Sequence, residues 1–196
     1  MRFAIALAVT ITFLCPGTSS AQTGTVQGTV SGAPRVRRDA VIYLADVPRS
    51  TSKATHQYDQ KNMVFIPRVL PVVRGATVQF LNSDQVRHNV FSPDYEKYNL
   101  GTWPLGETRS YVFDKCTGEL CAYTQLCNVH TEMEGFIVVL QSAAFALVKA
   151  DGTFTIANVP PGTWTAKLWS PKKGVAVPVK VTVTAGQTAK VTLAVN

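Results

Sequence analysis

Eight consecutive residues, LCNVHTEM at 126–133, contain three side chains that can bind a soft metal ion. Cys127 offers a thiolate, His130 an imidazole and Met133 a thioether. Thiolate and thioether ligands favour copper, and imidazole suits copper as well. A trigonal set of two His and one Cys with a weak axial Met needs one more nitrogen than this segment supplies. The pattern therefore predicts a copper site that is completed by a second histidine.

His88 is the candidate for that histidine. It follows the apolar segment ATVQFLN at 76–82 and a polar loop, and it precedes the apolar residues Val90 and Phe91. A ligand at the boundary of a loop and a strand can be held rigidly while it points out of the end of a sheet. The predicted ligands of one copper ion are His88, Cys127, His130 and Met133.

The elements that must position these ligands are strands. Apolar segments are short, rich in Val, Thr, Phe and Tyr, and bounded by Gly, Pro, Asn or Asp, as is typical of strands joined by turns. No stretch after residue 21 shows a sustained helical period, so we expect an all-β protein. The clearest predicted strands are 25–31, 39–45, 76–82, 109–114, 122–127 and 135–140.

Residues 58–140 resemble the cupredoxin family, which includes plastocyanin and amicyanin. The matching segments are MVFIPRVLPVVRGATVQFLNSD (63–84), HNV (88–90), GETRSYVFD (106–114) and CNVHTEM (127–133), and the C-x2-H-x2-M spacing is similar to that of amicyanin. The resemblance implies a Greek-key β-sandwich that binds copper at one end through the four residues named above. It also implies that Asn89 ties the two ligand segments together without binding the metal. Electrons would pass through a surface formed by His130 and Val129.

The sequence changes character after residue 140. Alternating strands and turn signals predict a second, smaller β-domain over 141–196, which contains no His, Cys or Met. This segment resembles the carboxypeptidase regulatory-like domains, although the strands that usually open such a domain lie at 25–46 instead. We therefore expect the cupredoxin region (22–140, with its core at about 58–140) to be inserted between those opening strands and the rest of the second domain. The combination resembles plastocyanin-like proteins labelled methylamine utilization proteins.

The cysteines at 116, 121 and 127 can pair in only some ways. Cys121 and Cys127 are six residues apart in a predicted strand, about 20 Å along an extended chain, whereas a disulfide needs Cα atoms within roughly 7 Å. Cys116 and Cys121 flank a predicted hairpin turn at 117–120, so they can form a disulfide. Cys127 then stays free to be a ligand.

Several other classes of site fit the residues less well. A Cys–His hydrolase needs a base across a cleft from the thiolate and a third group that orients it, which one short loop does not provide. Structural zinc sites seldom use Met, although Met133 on its own could be a core residue. Copper oxidases and nitrite reductases need further His-rich copper centres, and the remaining His56 is predicted to lie in a polar loop. We expect an electron carrier rather than an enzyme, with non-redox copper storage or delivery as the alternative.

Residues 1–21 have the pattern of a secretory signal, with Arg2, an apolar run at 3–14 and a small-residue exit at Ala21. The apolar run is shorter than the roughly 20 residues that span a bilayer. We therefore expect a periplasmic or secreted protein without a membrane anchor.

The charge of the chain favours acidic partners. The formal net charge is +7, and it becomes +6 when Arg2 is removed with the signal. Such a charge speeds the encounter with an acidic redox protein, such as a c-type cytochrome or a periplasmic dehydrogenase. Lys and Arg are scattered apart from Arg35, Arg37 and Arg38, so we expect no binding of nucleic acid.

Overall fold

A computed structural model describes residues 22–172 and 176–195, and the predicted signal at 1–21 lies outside this range. The described residues confirm the prediction of an all-β protein, with one single-turn helix, α1 (Pro34–Arg37). The strands are β1 (Gly24–Ser31), β2 (Val41–Ala45), β3 (Thr55–Lys61), β4 (Val64–Ile66), β5 (Val69–Val73), β6 (Thr77–Leu81), β7 (His88–Phe91), β8 (Asn99–Trp103), β9 (Thr108–Val112), β10 (Leu120–Leu126), β11 (Glu134–Leu140), β12 (Phe145–Leu147), β13 (Thr153–Val159), β14 (Gly162–Trp169), β15 (Val179–Val183) and β16 (Thr188–Ala194). In the part of the chain that is described, no helix has the length and apolar character needed to cross a membrane.

The strands form two units. In the central unit, residues 55–140, one sheet has the order β5-β11-β10-β7-β8 and the other has the order β4-β3-β6-β9. In the flanking unit, residues 24–45 and 145–195, the sheets are β13-β1-β16 and β12-β2-β14-β15. The predicted ligands all lie in the central unit.

The N-terminal strands belong to the sheets of the flanking unit. β1 pairs antiparallel with β13 and parallel with β16, and β2 pairs with β12 and β14. These are the ladders that the insertion hypothesis requires, because the chain leaves the flanking unit after β2 and returns to it at β12. Buried apolar residues from both segments, including Val26, Ile42, Phe154 and Leu193, form the core of this unit.

Alternation of side chains along β10 builds the core of the central unit. Cys121, Tyr123 and Gln125 are buried, while the residues between them are half-buried, as the two-residue period of a strand requires. β11 instead is buried at every position after Glu134. One face of β11 packs in the central core, and the other joins a cluster with Val41 of the flanking unit. Because both faces of β11 are covered by other parts of the protein, its sequence is continuously apolar after Glu134.

Two local predictions are wrong. His56 lies in β3 and not in a loop, because this polar strand pairs with β6 and buries Tyr58 and Gln60. The hairpin turn predicted at 117–120 is not formed, because β9 pairs with β6 whereas β10 pairs with β7 and β11, and residues 113–119 connect them. The segment therefore crosses from one sheet of the central unit to the other.

Candidate metal centre

Three of the predicted ligands lie on the loop between β10 and β11. These strands are antiparallel partners, and their last pair in register is Leu126 with Glu134. Cys127 directly follows one strand and Met133 directly precedes the other. The backbone N–H of Met133 donates to the carbonyl oxygen of His130 at 3.1 Å. The paired strands and this turn fix the positions of the side chains of Cys127, His130 and Met133, which are the predicted metal ligands of the loop.

The fourth predicted ligand, His88, is the first residue of β7. This strand lies beside β10, where Phe91 pairs with Leu126, and its other neighbour is β8, where His88 pairs with Trp103. The His88 side chain is completely buried. Sheet pairing thus brings together two segments that are 39 residues apart in sequence.

The two histidines and the cysteine form a compact triangle of donor atoms. The Sγ atom of Cys127 lies 3.9 Å from Nδ1 of His88 and 4.0 Å from Nδ1 of His130, and the two Nδ1 atoms are 3.0 Å apart. A point equidistant from all three lies about 2.1 Å from each atom, close to metal–imidazole and slightly shorter than metal–thiolate bond lengths. The donor set of this chain therefore fits one metal ion.

Met133 lies at the end of the same loop with its side chain 1% exposed. It packs in the cluster of buried residues that also contains Cys127. This burial suits an axial ligand and a core residue alike. The softness of a thiolate and a thioether together favours copper over zinc at this position.

Asp84 is a residue of the site to which the sequence analysis assigned no role. Its Oδ2 atom lies 2.8 Å from Nε2 of His88. An ionised carboxylate only accepts hydrogen bonds, so Nε2 of His88 carries the proton and Nδ1 keeps the lone pair that a metal needs. The signal available in the sequence is that Asp84 precedes His88 by four residues in the same polar loop. In the structure the side chain of Asn82 closes this loop, because it accepts a hydrogen bond from the N–H of Asp84 and donates one to the carbonyl oxygen of Val86.

The Asp84 carboxylate is itself held by the backbone. It accepts hydrogen bonds from the N–H groups of Asn62 at 2.7 Å and Met63 at 2.9 Å, at the tip between β3 and β4. Partial burial acts to raise the pKa of Asp84, but the hydrogen bonds from Met63, His88 and Asn62 outweigh it and lower the pKa below its usual value. The tip of this hairpin is therefore connected to the predicted ligand His88 through a charged group.

Asn89 links the two ligand segments. Its backbone N–H points to Sγ of Cys127 at 3.4 Å, and its side-chain oxygen accepts a hydrogen bond from the N–H of Asn128 at 3.3 Å. Its Nδ2 donates to Asn99 and Gly101. Hydrogen bonds to a thiolate stabilise its negative charge. Asn89 therefore contacts the sulfur of the predicted ligand Cys127 and holds its loop from the neighbouring strand.

Several large apolar side chains are exposed at this end of the central unit. Val129, beside the half-buried His130, is 50% exposed. Met63 and Val86 are exposed large apolar residues as well, and both are adjacent to the Asp84 network. Leu105 is also exposed and lies next to Gly106, whose N–H donates to the carbonyl of Asn82. Exposed apolar residues thus lie beside the Asp84 network as well as at the Val129 position named from the sequence.

The other two cysteines of the described residues form a cross-link at the opposite end of β10 from Cys127. Cys116 and Cys121 form a disulfide, and Cys127 is a buried free cysteine. The bond ties the start of β10 to the crossing segment that precedes it. The Gln141 side chain donates to the carbonyl oxygen of Cys116 at 3.2 Å.

Comparisons with known proteins cover parts of the chain. The family model described as polysaccharide lyase family 4, domain II, matches residues 145–191, and the likeness to carboxypeptidase regulatory-like domains stays a prediction. No curated protein matches the chain.

Three solved structures are similar to part of the chain. A Cu-containing nitrite reductase from Thermus scotoductus SA-01 shares 23% identity over 51% of this chain and 25% of its own, with a TM-score of 0.42. The chain therefore matches about a quarter of that reductase. A purple cupredoxin from Nitrosopumilus maritimus shares 23% identity over 42% of this chain and 97% of its own, with a TM-score of 0.37. A reduced mutant of amicyanin shares 19% identity over 50% of this chain and 97% of its own, with a TM-score of 0.40.

Proposed function

We propose that this protein is a type 1 copper protein that carries single electrons between redox partners. The observation that carries the proposal is the triangle formed by Sγ of Cys127 and the Nδ1 atoms of His88 and His130, with sides of 3.0 to 4.0 Å. Met133 would be the weak axial donor. Copper bound by these residues would supply reversible one-electron exchange between Cu(I) and Cu(II).

The chain holds its donors in a way that suits fast electron exchange. His88 is fixed by Asp84, Cys127 is supported by Asn89, and the loop is closed between two paired strands. Ligands that are locked by packing and hydrogen bonds move little when the charge at their centre changes. The electron would enter and leave through His130, whose apolar surroundings allow close approach of a partner.

We propose that the site carries electrons and does not catalyse a reaction. Catalytic metal sites keep a coordination position open for water or substrate. If Met133 is the fourth donor, an ion held by these two segments would have no such position. The partner would be an acidic redox protein, such as a c-type cytochrome or a periplasmic dehydrogenase, since the chain is basic.

We propose in addition that the protein is periplasmic or secreted. The pattern of residues 1–21 supports export to the periplasm or secretion. A disulfide between Cys116 and Cys121 suits an oxidising compartment. Cell fractionation of the tagged full chain tests this part independently of copper.

A visible spectrum and voltammetry of the copper-loaded protein test the function. Electron transfer requires an intense thiolate-to-copper band and a reversible one-electron wave. Tight Cu(I) binding without a reversible wave would instead support the storage or delivery alternative. The variant His56→Ala is the control, since His56 lies in β3 and outside the donor triangle.

A further inference from the structure

A basic hollow lies between α1 and the central unit. Its volume is about 350 Å³, and it is lined by Pro34, Arg35, Arg38, Arg68 and Lys172. Four of the five lining residues are cationic. The flanking unit supplies all of them except Arg68, which lies just before β5 of the central unit. Cationic residues of both units thus meet at the hollow, although their apolar atoms form almost all of its accessible wall.

Most of this charge is not neutralised within the described chain. Arg68 forms ion pairs with Asp39 at 3.3 Å and with Glu134 at 3.0 Å. No ion pair of Arg35, Arg38 or Lys172 is found among the described residues. All three of these residues are exposed. The rim of the hollow thus offers three cationic groups to an external anion.

Arg68 connects the hollow to the candidate metal centre. Its guanidinium binds Glu134, the residue that directly follows the predicted ligand Met133. Arg68 also lines a second cavity together with Glu132, Met133 and Val64. The basic hollow therefore adjoins, through Arg68, the C-terminal end of the loop that carries three predicted ligands.

We infer that this hollow is a docking surface for acidic side chains of the redox partner, which the flanking unit presents beside the metal centre. The inference rests on the proposed function, because it places the partner against the metal-binding loop. Arg35 and Arg38 can each bind a carboxylate through two parallel hydrogen bonds. Apolar contact at Val129 would let the partner approach the metal centre closely, and binding of its acidic side chains at the hollow would orient it.

An acidic protein fits this surface better than a nucleic acid. A nucleic acid is bound along a stripe of cations that follows its phosphates, whereas three cations here surround one hollow. Their position next to the metal-binding loop also matches where an electron partner must bind. The flanking unit would thus select the partner, although it carries no His, Cys or Met of its own.

Charge reversal at the hollow tests the inference. The double variant Arg35→Glu/Arg38→Glu is compared with Lys180→Glu/Lys190→Glu, which makes the same change in net charge at exposed positions outside the hollow. The full chain is loaded with copper, and an acidic c-type cytochrome is the probe. Binding is measured by titration with both proteins in the same redox state, and electron transfer is measured by stopped flow. Oxidation by hexacyanoferrate and the visible spectrum report on the metal centre itself.

We expect the hollow variant to weaken binding and to slow electron transfer by about tenfold or more at low salt, because local steering is lost. The control pair should change both by less than about threefold, and the visible band should be unchanged in both variants. Equal losses in the two double variants, or no loss in either, would overturn the inference.

The two proposals fail in different ways. Binding that depends on Arg35 and Arg38 without electron transfer to the cytochrome would support the docking surface and contradict the electron-carrier function. Electron transfer to the cytochrome with binding that does not depend on Arg35 and Arg38 would support the electron-carrier function and contradict the docking surface. Loss of binding to duplex DNA or to phosphatidylglycerol vesicles in the hollow variant, with cytochrome binding unchanged, would overturn the assignment to an acidic protein.

Discussion

The carboxylate of Asp84 lies 2.8 Å from Nε2 of His88, on the side of the ring opposite to the donor atom Nδ1. A carboxylate in this position sets the tautomer of the ring and makes Nδ1 a better donor to a cation. Because Asp84 also accepts two backbone N–H groups, the ring cannot rotate without breaking a network that reaches the β3–β4 tip. This pair should therefore tune both metal affinity and redox potential.

Asp84→Asn tests that role. The amide keeps a similar shape but loses the negative charge, so we expect affinity for Cu(II) to fall by about 10- to 100-fold and the reduction potential to rise. The blue band should persist, since Cys127 is unchanged. Competition titration and voltammetry give the two values, with the exposed Asp114→Asn as the control. An unchanged affinity would show that Asp84 has only a structural role.

Cys127→Ser should remove the blue colour. A serine hydroxyl stays protonated at neutral pH and cannot supply the thiolate charge that copper needs. The visible spectrum after copper loading measures the effect, and circular dichroism shows whether the fold is kept. An intense band in this variant would contradict the assignment of Cys127 as the sulfur ligand.

Met133→Leu should be milder. The side chain is 1% exposed, and Leu fills nearly the same volume, so we expect less than about 1.5 kcal/mol of destabilisation. Loss of a weak axial donor favours Cu(I), so the potential should rise while the colour stays. Voltammetry of this variant is compared with Met63→Leu at the exposed hairpin tip. A lower potential would count against Met133 as a ligand.

The disulfide should matter for stability rather than for metal binding. Cys116 and Cys121 are five residues apart, and closing so short a loop stabilises a protein by only about 2 kcal/mol. The double Ser variant should bind copper with the same spectrum and melt roughly 4–8 °C earlier. Loss of the blue band in a folded double variant would show that the cross-link positions Cys127.

The donors on one loop were predictable because their chemistry is local. Cys127, His130 and Met133 are separated by two residues each, and their softness together favours copper. The strands around them follow the expected alternation, so the all-β class and six strands could be placed. His88 was predicted because one donor was missing and this histidine lies between a polar loop and an apolar segment.

What sequence patterns missed depends on contacts between distant segments. β3 looks like a polar loop in the sequence, but pairing with β4 and β6 and burial of Tyr58 and Gln60 make it a strand. The clustering of Arg35 and Arg38 with Arg68 and Lys172 needs the flanking unit to pack against the central unit. Patterns of single segments do not carry such information.

The apolar surface at Val129 leads to the last prediction. Val129 is 50% exposed beside His130, so an added charge there should not disturb packing or the donor atoms. Val129→Asp should slow electron transfer to an acidic cytochrome, because it places a desolvated negative charge where the partner must approach closely. The blue band and the copper affinity should be unchanged.

Val112→Asp is the matched control, since Val112 is 47% exposed on β9 and pairs with Thr77 at the far end of β6 from the His88 loop. Stopped-flow rates at low and high salt separate the effect of electrostatic steering from the effect of close apolar contact. Steering by the positive net charge is screened over about 8 Å at physiological salt, so the rate of the unmodified protein should fall as salt rises. The defect of Val129→Asp should remain in part at high salt, because it also disrupts close apolar contact. If both variants transfer electrons at the unmodified rate at every salt concentration, the electron leaves by a face other than that of His130.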